Sequence, residues 1–146
     1  MKKNFLFLIA GLLLLNSCAV EPKPINYGSD ACHSCSMNIV QQKFGAELVT
    51  KKGKVYKYDA IECMLRDVLD NWNEEDLAHI LAIDYNNPKN FIDATQGFHL
   101  KSEKIPSPMG GFLSSYETKE LGDKAFEQNG GELMNWSLLK ERYTED

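Results

Sequence analysis

Apolar and polar positions change their period several times along the chain, and each change marks an element. Residues 44–50 alternate, with Phe44, Ala46 and Leu48 on one face, and Val55 to Tyr58 forms a second short strand. Lys51-Lys52-Gly53-Lys54 between them reads as a hairpin turn, with Gly53 free to take positive φ. Ile61, Leu65, Val68, Leu69 and Trp72 then recur at helical spacing, and Asp59 with Glu62 three residues on resembles a capping box. Ile80 to Tyr85 is a near-continuous apolar run of strand length, as expected for a strand buried on both faces. The first half therefore reads β-β-α-β.

After the turn at Asn86-Asn87-Pro88-Lys89, the signals are shorter. Phe91-Ile92 and Phe98-His99-Leu100 are strand candidates around Thr95-Gln96-Gly97. Two prolines and two glycines keep Ile105 to Gly111 from forming regular structure, and residues 112–116 read as another strand. Thr118 caps a helix carrying Leu121, Ala125 and Phe126, which ends at Asn129-Gly130-Gly131. Asn135 caps a last helix with Leu138, Leu139 and Tyr143. The expected class is α+β: two small β-β-α-β-type halves packed together, with approximate bounds 29–86 and 87–146. No residue-level repeat relates the halves.

The beginning of the chain follows a different logic. Lys2 and Lys3 precede an apolar run from Phe5 to Leu15, which is of signal-peptide length and short for a membrane span. Leu15-Asn16-Ser17-Cys18 resembles a bacterial lipobox, in which the signal is cut before a cysteine that becomes lipidated. An ordinary secretory signal with a chance cysteine is the plainer alternative. The expectation is a signal at 1–17, lipidation at Cys18, and a tether at 18–28 in which Pro22 and Pro24 interrupt any periodicity. The protein is then anchored in the cell envelope by lipid and faces the periplasm, on either the inner or the outer membrane.

Composition adds boundaries. With 146 residues, 43% hydrophobic and 25% charged, the chain is an ordinary folded protein. Its net charge of −5, or −7 without Lys2 and Lys3, argues against a nucleic-acid groove. Of four cysteines, Cys18 goes to lipid, so Cys32, Cys35 and Cys63 are left in an oxidising compartment, and three thiols do not all pair within one chain.

The chemistry concentrates in Asp30-Ala31-Cys32-His33-Ser34-Cys35-Ser36-Met37-Asn38-Ile39. Thiolate and thioether are soft donors and suit Cu(I). Cys35 and Met37 are two apart, so an extended segment points both sulfurs the same way. A zinc site wants four ligands, and no second Cys-x-x-Cys is present. Cys32 and Cys35 also fit a structural or redox disulfide, although a thioredoxin-like pair normally opens a helix after a strand. Cys63 falls in the first turn of the predicted helix, off its apolar stripe, and is either close to the metal loop or a small buried residue. Met64 reads as core. His99, His33 and Met109 are candidate further ligands, though Met109 also suits a gap-filling role. Asp30 orients the loop or begins a turn, His79 reads as a surface residue, and Lys51 to Lys54 read as a solvated tip.

Taken in order, the lipobox cysteine, Asp-x-Cys-x-x-Cys-x-Met-x-Ile (Asp30 to Ile39), Lys-Gly-Lys-Val-Tyr-Lys-Tyr-Asp-Ala-Ile-Glu-Cys-Met-Leu (Lys52 to Leu65) and Pro-Ser-Pro-Met-Gly-Gly (Pro106 to Gly111) resemble the NosL family of copper-binding lipoproteins, accessory to nitrous oxide reductase assembly. The resemblance implies two β-β-α-β units. It also implies one Cu(I) held through the Cys-x-Met pair, here Cys35 and Met37, and it strengthens Met109 as third ligand. Cys32 is an addition to the pattern. The resulting expectation is a membrane-anchored, non-enzymatic Cu(I) chaperone that serves apo nitrous oxide reductase or another periplasmic copper protein by ligand exchange. A thiol-disulfide oxidoreductase using Cys32 and Cys35 is the competing expectation, and a lipoprotein scaffold without metal is a third.

Overall fold

A computed structural model describes residues 20–145. In chain order they form β1 (Ala46–Thr50), β2 (Val55–Tyr58), α1 (Ile61–Asn71), a 3-10 turn (Glu74–Asp76), β3 (Leu77–Ile83), β4 (Phe91–Asp93), β5 (Phe98–Lys101), β6 (Leu113–Tyr116), α2 (Lys119–Asn129), β7 (Glu132–Asn135) and α3 (Trp136–Glu145). One sheet has the order β2-β1-β3-β4 and the other β6-β5-β7, with antiparallel pairing throughout. The two units share a topology. In β1-β2-α1-β3 and in β5-β6-α2-β7, the first strand is central and the helix connects its two neighbours.

Two boundaries differ from the sequence reading. β4 pairs with β3 through Leu81–Asp93, Ala82–Ile92 and Ile83–Phe91, so the first unit extends past residue 86 to Asp93. β7 has no strong alternating pattern of its own, and it forms because β5 offers a free edge with His99 opposite Met134. The run at 80–85 is strand only to Ile83. Beyond it Asp84 bridges Ser115, and the Tyr85 N–H donates to Ser115 O at 2.8 Å, stitching the two sheets together.

Capping is as expected at two helices and different at the third. Thr118 Oγ1 accepts from Leu121 N–H at 3.3 Å, and Asn135 Oδ1 accepts from Leu138 N–H at 2.9 Å. At α1 the N-cap is Ala60, without a side-chain bond. Asp59 is buried, and Glu62 points away from the cap toward the second unit. There Glu62 Oε1 accepts from the Ser107 hydroxyl and from Gly111 N–H at 3.2 Å, tying the 105–111 loop to α1. One core runs through both units: Leu48, Tyr58, Met64 and Ile83 of the first unit with Leu113, Met134, Trp136 and Leu139 of the second.

The stretch expected to be a free tether is held to the domain from Val20 onward. His79 Nε2 meets Val20 O at 3.3 Å, Lys23 N–H donates to Glu47 Oε1 at 2.8 Å, and Lys57 Nζ donates to Pro24 O at 2.6 Å. Ile25 enters the core. The physical reason is the second face of the first sheet, where Val49 and Glu47 are fully covered. An irregular, proline-bearing strap covers that face, with the carbonyls of Val20, Pro24 and Asn26 paired.

The strap leaves Glu47 Oε2 buried without a partner, and burial pushes this carboxyl up to about 7. A raised acid favours the folded state while protonated, and that stability is lost as pH rises from 4.5 through 7. Glu47→Gln is therefore expected to match the wild type near pH 4 and to exceed it above pH 7, by up to about 3 kcal/mol. Urea unfolding at both pH values checks this, and an equal difference at both would sink it.

Candidate metal centre

Residues 31–38 form a tight hairpin rather than an extended segment. Ala31 bridges Asn38, Cys32 N–H donates to Met37 O at 2.8 Å, and Ser36 N–H donates to Cys32 O at 2.9 Å. Ser36 takes φ +64° to close the turn. The hairpin is secured from below and from the side. The Asp30 carboxylate accepts from Asn26 N–H at 2.7 Å and from Lys57 Nζ at 2.6 Å, while His33 N–H donates to Lys57 O at 2.7 Å at the β2 edge. The His33 ring lies 4.6 Å from that of Tyr56. Asp30 thus ties the start of the hairpin to Lys57 of β2 and also closes a turn with Asn26, whose carbonyl accepts from Asp30 N–H at 2.9 Å.

β2 then leads through Asp59 and Ala60 into α1, whose third residue is Cys63. The result is a three-sulfur cluster. The Sγ atoms of Cys32, Cys35 and Cys63 all lie within 4.8 Å of one another. Cys32 and Cys63 are buried, Cys35 is half-buried at the rim, and all three are free of disulfide bonds. Cys63, left open by the sequence between a buried filler and a neighbour of the metal loop, sits directly in the cluster. The signal that could have found it was its off-stripe place in the first helical turn, beside an otherwise odd cysteine count.

The electrostatics favour one thiolate shared by its neighbours. Cys32 sulfur accepts from the Cys63 thiol and, against the effect of burial, from the N–H groups of Cys35 and Asp59 and from the Cys35 thiol. These bonds push the Cys32 thiol down to about 5. Cys63 is pushed up, first by that same hydrogen bond and then by burial, and Cys35 is pushed up chiefly by burial. Nearby, burial and the Cys32 charge push Asp59 up to about 6. One negative charge with two displaceable thiol protons is a cation site in waiting: a soft cation can take the place of both protons.

The other residues singled out from the sequence are dispersed. Met37 does not follow the extended-strand argument, because the turn at Ser36 intervenes; its carbonyl closes the hairpin and its side chain is 46% exposed. Met109 is on the loop held by Glu62 through Ser107 and Gly111, and is 37% exposed. His99 is not available to a metal. It is fully buried in the second sheet, with Nδ1 at 3.0 Å from Ser115 Oγ and Nε2 at 2.9 Å from Ala94 O, and burial pushes it down to about 4. His79 holds the strap, and Met64 is core as expected. Cys18 and the signal at 1–17 lie outside the described residues.

The site differs from a thioredoxin-like one in position. Cys32 and Cys35 occupy a hairpin, and it is the third cysteine that opens a helix.

Comparison with known proteins agrees with this fold. The crystal structure of the copper chaperone NosL from Shewanella denitrificans is similar to this one with a TM-score of 0.70 and 22% identity, over 82% of this chain and 95% of that one. At that identity the likeness establishes a common fold. No curated protein matches the chain in sequence. The NosL family pattern matches residues 24–144, from the strap through α3, and the chain therefore belongs to the NosL family.

Proposed function

We propose that this protein is a Cu(I) chaperone that holds its ion among Cys32, Cys35 and Cys63 and gives it up from the Cys35 side. The observation that carries the reading is the approach of three sulfurs to within 4.8 Å of one another. An ion about 2.3 Å from each of three sulfurs would leave them about 4 Å apart, so small side-chain movements suffice. Three soft donors with no fourth protein ligand among the described Cys, His, Asp and Glu groups suit Cu(I) better than Zn(II). The copper chaperone with the same fold supports the choice of metal.

The site is built for transfer as well as capture. Cys32 and Cys63 hold the ion from the buried side, while Cys35 and the exposed Met37 are at the mouth, where an acceptor's ligand can enter before Cys35 leaves. The ligand set expected from the sequence is thereby regrouped: Cys35 stays, Cys32 and Cys63 join it, Met37 serves at the rim, and Met109 is an accessory on a neighbouring loop. Cys18 carries the lipid anchor, the domain faces the periplasm, and the recipient is apo nitrous oxide reductase. These three assignments rest on the lipobox and on family membership.

Titrating the purified, reduced protein with Cu(I) tests the reading against its rival. One tight equivalent is expected, with Met37→Ala changing affinity far less than loss of any cysteine. Failure to retain Cu(I) against a weak chelator, together with reduction of insulin disulfides, would make the protein a thiol-disulfide oxidoreductase instead.

A further inference from the structure

The strap that covers the first sheet also fixes where the lipid anchor emerges. Val20 O is held by His79, and His79 is opposite Val49 in β3–β1 pairing while Val49 is opposite Val55 in β1–β2 pairing. Val20 therefore leaves the domain beside the last row of the β1–β2 hairpin. Immediately beyond that row is the tip, Lys51-Lys52-Gly53-Lys54, whose three lysines are exposed. The tip is a fixed shape: Thr50 N–H donates to Lys54 O at 2.9 Å, Gly53 N–H to Thr50 O at 2.8 Å, and Lys51 N–H to Asp76 O at 3.0 Å.

Cys18 is two residues before Val20, so its reach from the domain is at most about 7 Å. The cysteine cluster is at the other end of the same strand. Only Asp59 and Ala60 lie between β2 and α1, whose first turn carries Cys63 of the cluster. Asp59 is four residues along the chain from Val55, about 13 Å in a strand. The helix runs back along the strand: α1 starts beside the cluster, with Cys63 in its first turn, and ends at Asn71, after which the Trp72 ring meets that of Tyr56 in β2 at 5.0 Å.

We infer that the β1–β2 hairpin tip is the membrane-facing end of the domain, set against anionic phospholipid headgroups, and that the cysteine cluster faces away from the bilayer. The inference rests on the proposed lipidation of Cys18. Lysine charges near a bilayer are drawn to anionic lipid within about a Debye length. Two exposed carboxylates, Glu75 and Asp76, adjoin the tip, while Glu74 is paired with Lys140 at 2.5 Å, so the attraction is modest and the short anchor is the main constraint. The consequence for transfer is directional: an acceptor reaches the cluster from the aqueous side, without competing with the membrane.

A photocrosslinking residue in place of Lys52, or in place of exposed Ser34 in the cysteine hairpin, tests the orientation in the full-length lipidated protein. The protein is placed in vesicles of phosphatidylcholine and phosphatidylglycerol, and lipid adducts are read by mass. Adducts at position 52 and none above background at position 34 are expected, with fewer at 52 when phosphatidylglycerol is omitted. Adducts at 34 equal to those at 52, or none at either, overturn the orientation. Equal yield at 52 without anionic lipid overturns the headgroup contact. The mass of the N-terminal peptide separates the two levels: acyl chains on Cys18 with no adduct at 52 refute this inference alone, whereas an unmodified Cys18 refutes the anchor reading from which it starts.

Discussion

Cys63→Ser is expected to weaken Cu(I) binding by at least about 100-fold while leaving the apo-protein folded. Thiolate and imidazole sites with four ligands bind metal with apparent energies of about 10–16 kcal/mol, so one ligand accounts for roughly 3 kcal/mol or more, a factor of about 100 in affinity. Serine is close in size and can still donate to the Cys32 sulfur, so the buried cluster keeps its hydrogen bond in the apo state. The sequence-based ligand set makes the opposite prediction. If Cys35, Met37 and Met109 held the ion alone, Met109→Ala would produce the large loss and Cys63→Ser a small one. Competition with a Cu(I) chelator of known affinity decides between them, with thermal unfolding of the apo-proteins run alongside. An affinity for Cu(I) unchanged in Cys63→Ser would refute the three-cysteine site.

Much of that site was legible in the residues themselves, up to the point where geometry took over. The hairpin at 51–54, α1 with its stripe, the Thr118 and Asn135 caps and the softness of the donors at 32–37 are all local properties, and local properties survive in sequence. The pairing of Cys63 with a loop thirty residues earlier is not local. It depends on His33 docking to Lys57 at the β2 edge, and nothing in the spacing of either segment announces that contact. Asp59 and Glu62 misled for a related reason. They have the spacing of a capping box, but Asp59 is buried with Oδ1 unpaired and Glu62 has a partner in the other unit, so tertiary structure overrode a sound local rule. His99 looked like a ligand because histidine is a common one, and only the bonds on both ring nitrogens exclude it. The strap was read as a tether because prolines and the lack of a period give no sign of the sheet face it covers.

The second unit has a comparably sharp dependence on one backbone position. Gly131→Ala is expected to destabilise the protein by about 4 kcal/mol and to lower its melting temperature by about 10–20 °C. α2 ends at Gly130, and the chain must turn at once into β7, which lies against β5. Gly131 takes φ +103° in that turn, and a Cβ there would lie 2.0 Å from Lys101 O, the last carbonyl of β5. A backbone oxygen within a paired strand has no rotamer by which to move aside. The β5–β7 ladder has to part or the turn has to be rebuilt, and strain of roughly 1–3 kcal/mol adds to overpacking of similar size. Gly130→Ala is the internal comparison: φ is +67° there too, but nothing lies within 4 Å of the added carbon, so that variant carries the strain without the collision. Thermal melts of the two variants should therefore differ clearly. Equal losses would mean that β5 yields to the methyl group, and that the close approach of the turn to β5 is not what fixes β7 in place.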